Sequence, residues 1–204
     1  MPSETPRLAR IGPTVDLAKV EFPPAVAHGF GALYGTEAPV ETAARWVAAT
    51  RSAFADSLDR QPTADDLCTT ADGDHVFDPA GPGESQAYVC VLDPLIYPFL
   101  TDTPGTVRSA SQQGSDQIEV DVTPDGVAAS HPDAVVSVGV SNGADAVDTI
   151  TPEVVYRQVC GYVHVFATVS AYESWAADLD AATTSLDLER GIGVARGLAD
   201  ALFA

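Results

Sequence analysis

Gln86-Ala87-Tyr88-Val89-Cys90-Val91-Leu92-Asp93-Pro94-Leu95-Ile96-Tyr97-Pro98 decides how this chain is read. A strand ending near Val91 gives way to a helix whose first residue is Pro94, so Asp93 is expected at the N-cap, where a short carboxylate accepts the free backbone N–H groups. Cys90 then stands three residues before that carboxylate, beside a helix N-terminus that favours the thiolate of a nearby cysteine. Two readings share this geometry: a capped helix with an inert core cysteine among Val89, Val91 and Leu92, and a reaction site.

A second cysteine lies in Gln158-Val159-Cys160-Gly161-Tyr162-Val163-His164-Val165-Phe166. The pattern predicts a strand over 161–168, with Cys160, Tyr162, His164 and Phe166 on one face. Four residues of extended chain separate Cys160 and His164 by about 13 Å, which argues against a zinc half-site on Cys-x-x-x-His. His164 is expected to pack or hydrogen-bond near the site.

Outward from these segments, residues 1–24 hold five prolines and no periodicity, and read as an arm. Val40, Ala43, Ala44, Val47, Phe54 and Leu58 recur at helical spacing and predict a helix over 39–58. Residues 61–85 are rich in Asp, Gly and Pro and read as turns and loop. Thr106–Ser111, Gln117–Val122, Ala134–Val140 and Thr183–Leu188 read as strands, Ala171–Leu179 and Glu189–Phe203 as helices. The expected class is α+β: a mostly antiparallel or mixed sheet core with flanking helices and a short helical N-terminal region. The expected division is an N-terminal arm and helix over 1–60 and a sheet-bearing core over 61–204.

The chain has 204 residues, 46% of them apolar, ample for one buried core. Asp and Glu number 29 against 10 Lys and Arg, giving −19, and Lys19 is the single lysine. Such a surface repels nucleic acid and anionic lipid and reads as the acidic shell of a halophile cytosolic protein. Three cysteines are too few and too odd for a disulfide framework and fit reduced cytoplasmic thiols. No basic run leads into an apolar one at the N-terminus, which argues against secretion, and no segment is long and apolar enough to span a membrane.

Weaker signals are set aside on their chemistry. In Gly191-Ile192-Gly193-Val194-Ala195-Arg196 an arginine takes the third glycine position of a dinucleotide fingerprint, and in Gly83-Glu84-Ser85-Gln86-Ala87 an alanine takes the last glycine of a nucleophile elbow. His28, His75 and His131 are expected at the surface. Cys68, beside Asp65 and Asp66, is expected to be a poor thiolate and non-catalytic.

Together, Cys90-Val91-Leu92-Asp93-x-Leu95-Ile96-Tyr97-Pro98 and Val159-Cys160-x-x-Val163-His164-x-Phe166-Ala167 resemble the alkylmercury (organomercurial) lyase family. The similarity runs on through Tyr172-Glu173-Ser174-Trp175-Ala176 into the C-terminal helix. Where the family usually has a tryptophan before the first catalytic cysteine this chain has Val89, and Ser109–Gln113 lacks the further cysteine often found between the catalytic two. The family's winged-helix-like segment would fall within residues 1–60.

The resemblance implies protonolysis of a carbon–mercury bond by Cys90, Asp93 and Cys160, which would also hold the mercury of substrate and product. Thiolates are the best protein ligands for so soft a cation, and a carboxyl group close to both sulfurs can relay the proton that the departing carbon needs. It further implies that no cofactor is used, that exogenous thiols are needed for product release, that cellular thiols or a mercuric reductase accept Hg(II), and that the protein is a cytoplasmic monomer or homodimer. The alternative is a non-enzymatic carrier of Cu(I) or Hg(II) on Cys90 and Cys160, for which Asp93 would be superfluous. A third reading makes both cysteines core residues of a structural or interaction protein.

Overall fold

The computed structural model of the chain describes residues 11–113, 116–144 and 149–203, with backbone alone at Pro152. The part of the expected arm at residues 1–10 lies outside the described residues. In chain order the elements are α1 (Pro24–Tyr34), α2 (Ala43–Ser57), β1 (Thr69–Thr70), β2 (His75–Pro79), β3 (Gln86–Tyr88), α3 (Leu92–Thr101), β4 (Gly105–Ala110), β5 (Gln117–Thr123), β6 (Gly126–Ala129), β7 (Val135–Ser141), α4 (Pro152–Gln158), β8 (Val165–Phe166), α5 (Val169–Ala176), β9 (Ala181–Asp187) and α6 (Leu188–Leu202). Short 3₁₀ turns stand at Leu17–Lys19, Ala64–Asp66 and Cys160–Tyr162.

Two antiparallel sheets organise the fold. The larger runs β1-β3-β2-β4-β5-β6 and the smaller β8-β7-β9. In β5, Ile118, Val120 and Val122 turn inward while Gln117, Glu119 and Asp121 face water, the alternation of a sheet with one solvated side. β7 is buried along Val135–Val140 because β8 and β9 flank it and helices cover it. The class is α+β, as expected.

The last helix binds the two halves together. Asp187 caps α6 by accepting the Arg190 amide at 2.9 Å. Gly191 and Gly193 lie where a Cβ would meet Val136 and Val15, each at 2.5 Å, and a Cβ on Gly197 would run into Leu17. The glycines of the near-fingerprint therefore serve close packing, and its arginine does too: Arg196, buried, donates to the Pro13 carbonyl at 3.0 Å and straps the N-terminal lead-in to the helix. α1 and α2 are part of the same core, with Phe30 stacked on Trp46 at 4.9 Å and Phe22 edge-on to that tryptophan.

Several expectations are corrected. The predicted helix over 39–58 begins only at Ala43, because Thr42 accepts the Arg45 amide and caps it. α1 was hidden by Pro23-Pro24, yet proline is at home in a first helical turn, and Gly35 closes the helix in the left-handed region at φ 62°. Residues 61–85 hold two strands, β1 and β2, and not loop alone. The strand expected over 161–168 is a 3₁₀ turn followed by two strand residues, so the shared face drawn for Cys160 and His164 does not exist. His75 is buried in β2 and hydrogen-bonds Ser109 at 2.9 Å, against its expected place at the surface.

Candidate active site: three thiols around one carboxyl

α3 carries Leu92, Leu95 and Ile96 on one buried stripe at helical spacing, and this packing fixes the start of the helix. Val91 is the N-cap, so Asp93 is the second helical residue and not the cap. Freed from that duty, its Oδ2 accepts the backbone N–H of Cys68 at 2.9 Å, a contact made across 25 residues. The thiols of Cys90 and Cys68 also interact with the carboxylate. Burial dominates the balance and pushes the Asp93 pKa above the usual carboxylate range, against the pull of those hydrogen bonds.

Cys90 follows β3 in the bend that leads into α3 and is buried. Cys160 opens the 3₁₀ turn after α4, also buried, and the Cys90 thiol is the largest influence on it. That contact, then burial, then the charges of Cys90, Asp93 and Cys68 raise the Cys160 pKa well above the ordinary thiol value. Two thiols 70 positions apart thus share one carboxyl neighbour. The structure brings together all three residues singled out from the sequence.

Cys68 is the residue that sequence reasoning set aside. It is half-buried, and burial first and Asp93 second push its thiol up to about 11. The expected direction holds, but the acid responsible is Asp93. Asp66 is engaged elsewhere, in a salt bridge to Arg60 at 2.5 Å. Nothing in local spacing links Cys68 to Asp93; the link is made by Val89 donating to the Cys68 carbonyl and by β1 pairing with β3.

A cavity of about 120 Å³ has Cys68, Asp93 and Cys160 in its lining. Its walls are apolar: Trp46, Phe54, Ile96, Leu198 and Phe203 among them. Tyr34 crosses it with its hydroxyl satisfied, accepting from Trp46 Nε1 at 3.3 Å and hydrogen-bonded to Thr50 at 2.9 Å. Val89 is 43% exposed and outside the lining, whose aromatic side chains are Tyr34 of α1, Trp46 and Phe54 of α2, Tyr156 of α4 and Phe203 after α6.

His164 does not join the thiols. Its Nε2 hydrogen-bonds the Gly161 carbonyl at 3.0 Å, Trp175 stands edge-on at 5.1 Å, and burial drops its pKa to about 4. Among the described residues no three His, Cys, Asp or Glu side chains stand in the geometry that holds a metal ion. No described helix is long and apolar enough to cross a membrane.

Two buried thiols beside a part-buried carboxyl, with Cys160 and Asp93 lining an apolar cavity, are a donor set suited to a soft metal. The chain belongs to the alkylmercury lyase family, whose model matches residues 68–200. A crystal structure of the mercury-bound form of MerB2 is similar at 18% identity and a TM-score of 0.48, covering 64% of this chain and 60% of that one. The chain thus spans less than two thirds of that protein's length. A comparison with curated proteins finds no match.

Proposed function

We propose that the protein is an organomercurial lyase in which Cys90, Asp93 and Cys160 cleave the carbon–mercury bond by protonolysis. The observation that carries this reading is the position of Asp93: a part-buried carboxyl with a raised pKa that interacts with the Cys90 thiol, whose sulfur in turn meets Cys160. A carrier of Cu(I) or Hg(II) would gain nothing from it.

The residues divide the work as follows. The Cys160 thiol exchanges for the substrate's outgoing ligand X, giving Cys160-Sγ–Hg–R and HX. Cys90 passes its proton to the Asp93 carboxylate and binds mercury as the second thiolate, pushing electron density onto the metal and weakening the Hg–C bond. Asp93, now a carboxylic acid, delivers that proton to carbon. The products are R–H and Cys90-Sγ–Hg–Sγ-Cys160, with mercury divalent throughout, and no organic cofactor enters. The apolar cavity takes the organic group R, and its exclusion of water strengthens the proton transfer.

Residues 61–204 act as the catalytic core on this reading, and the helices of the first 60 residues close the cavity over it. The protein works in a reducing cytoplasm, where its thiols stay free and small thiols or a mercuric reductase take up Hg(II). The test is hydrocarbon release from an arylmercurial by purified reduced protein. Cys90→Ser and Cys160→Ser should each abolish it, and Asp93→Asn should lower it by about 10²–10⁴-fold while mercury still binds. Full turnover in any of the three would refute the assignment.

A further inference from the structure

The lyase reading uses two of the three thiols at Asp93 and leaves the most exposed one idle. Cys90 and Cys160 are buried, whereas Cys68 is half-buried and lines the same cavity as Asp93 and Cys160. Its amide is tied to Asp93 Oδ2 at 2.9 Å, which holds its backbone against the reacting group. A product bound between two buried thiolates needs a route to solvent, because exchange at mercury proceeds by attack of an incoming thiolate through a three-sulfur arrangement. An outside thiol reaching Cys160 directly would have to enter the apolar cavity, and Cys90 is buried.

We propose that Cys68 is the exit thiol, which takes Hg(II) from the buried pair and presents it to acceptor thiols. The Cys68 thiol gives its proton to the Asp93 carboxylate, left ionised after hydrocarbon release, and its sulfur bonds to mercury. The Cys90–Hg bond breaks, and the freed Cys90 thiolate recovers the proton from Asp93. One S–Hg bond forms and one breaks, mercury stays divalent, and a single proton passes from Cys68 to Cys90. The product Cys68-Sγ–Hg–Sγ-Cys160 lies nearer solvent.

The proposal takes its cargo from the lyase reading, but its test does not depend on turnover. Reduced protein is loaded with one equivalent of mercuric chloride, and transfer to excess glutathione is followed by stopped flow. Cys68→Ser, close to isosteric, should slow transfer at least about 10-fold; a rate within about twofold of the unmodified chain overturns the proposal. Should the variant fail to fold, brief iodoacetamide labelling of the unmodified chain decides. Mercury loading should slow alkylation of Cys68 several-fold, since the ion visits it, and unchanged reactivity refutes the relay. Cys68-dependent transfer in a protein that releases no hydrocarbon would sink the lyase reading and leave this one standing.

Discussion

Burial raises the Asp93 pKa, and the shift bears on the stability of the fold. Its folded pKa lies above the unfolded value, so the favourable contribution of the protonated form is present below about pH 4 and lost as pH rises through the folded pKa. The ionised form of Asp93 costs the folded chain stability, because burial disfavours its charge. Asp93→Asn keeps an acceptor for the Cys68 amide and removes that charge. The variant should therefore melt at or above the unmodified protein at pH 8, and lose any advantage in acid; a marked loss of melting temperature at pH 8 would contradict this. His164 works with the opposite sign. Its pKa is depressed to about 4 by burial, so it supports the fold above its unfolded value near 6.5 and that support is lost on acidification toward 4, worth up to about 3 kcal/mol. Replacing it by Phe should flatten the acid limb of a stability profile measured by urea unfolding. At this scale Cys90, Asp93 and Cys160 were legible because two short motifs bring the residue types that soft-metal protonolysis needs. Cys68 was not, since its partner is 25 residues away and only a β1–β3 pairing brings them together.

Among the elements, α6 shows how a pattern that suggests one function serves another. Its glycines face Val136, Val15 and Leu17 at distances that leave no room for a Cβ. Gly191→Ala should destabilise by about 1–3 kcal/mol, although Ala is the better helix former by up to about 1 kcal/mol, because β7 is buried and cannot yield. Gly81→Ala, at a position with open space around it, should be neutral or slightly stabilising. Thermal melts of the two variants check the contrast, and a stabilised Gly191→Ala would show the packing to be loose. β4, β5, β7 and β9 were readable from alternation and β-branched runs. The segment after Cys160 was not: Val163, Val165 and Phe166 mimic a strand, while Tyr162 and Val163 each close a 3₁₀ turn by donating to the carbonyls of Val159 and Cys160. That turn, by lifting Cys160 out of any sheet, lets its thiol reach Cys90.

The whole molecule carries −19 at neutral pH, and its mutual repulsion opposes compaction. Screening shortens from about 10 Å at 0.1 M salt to about 3 Å at 1 M, so the melting temperature should climb steadily through a KCl titration followed by circular dichroism. A flat response would count against a halophile setting. The overall charge and α+β class were legible in composition and periodicity. The shape of the cavity was not, because its aromatic lining, Tyr34, Trp46, Phe54, Tyr156 and Phe203, comes from four separate segments of which only that of Tyr156 lies beside a thiol in sequence. On the proposed mechanism a solvent-exchangeable proton, relayed through Cys90 and Asp93, ends on the carbon that leaves mercury. Incubating the reduced protein with methylmercury and excess thiol in D₂O, and analysing the headspace by mass spectrometry, addresses that claim most directly. The prediction is methane bearing a single deuterium, formed in proportion to the Hg(II) released; no methane, or methane without deuterium, would contradict it.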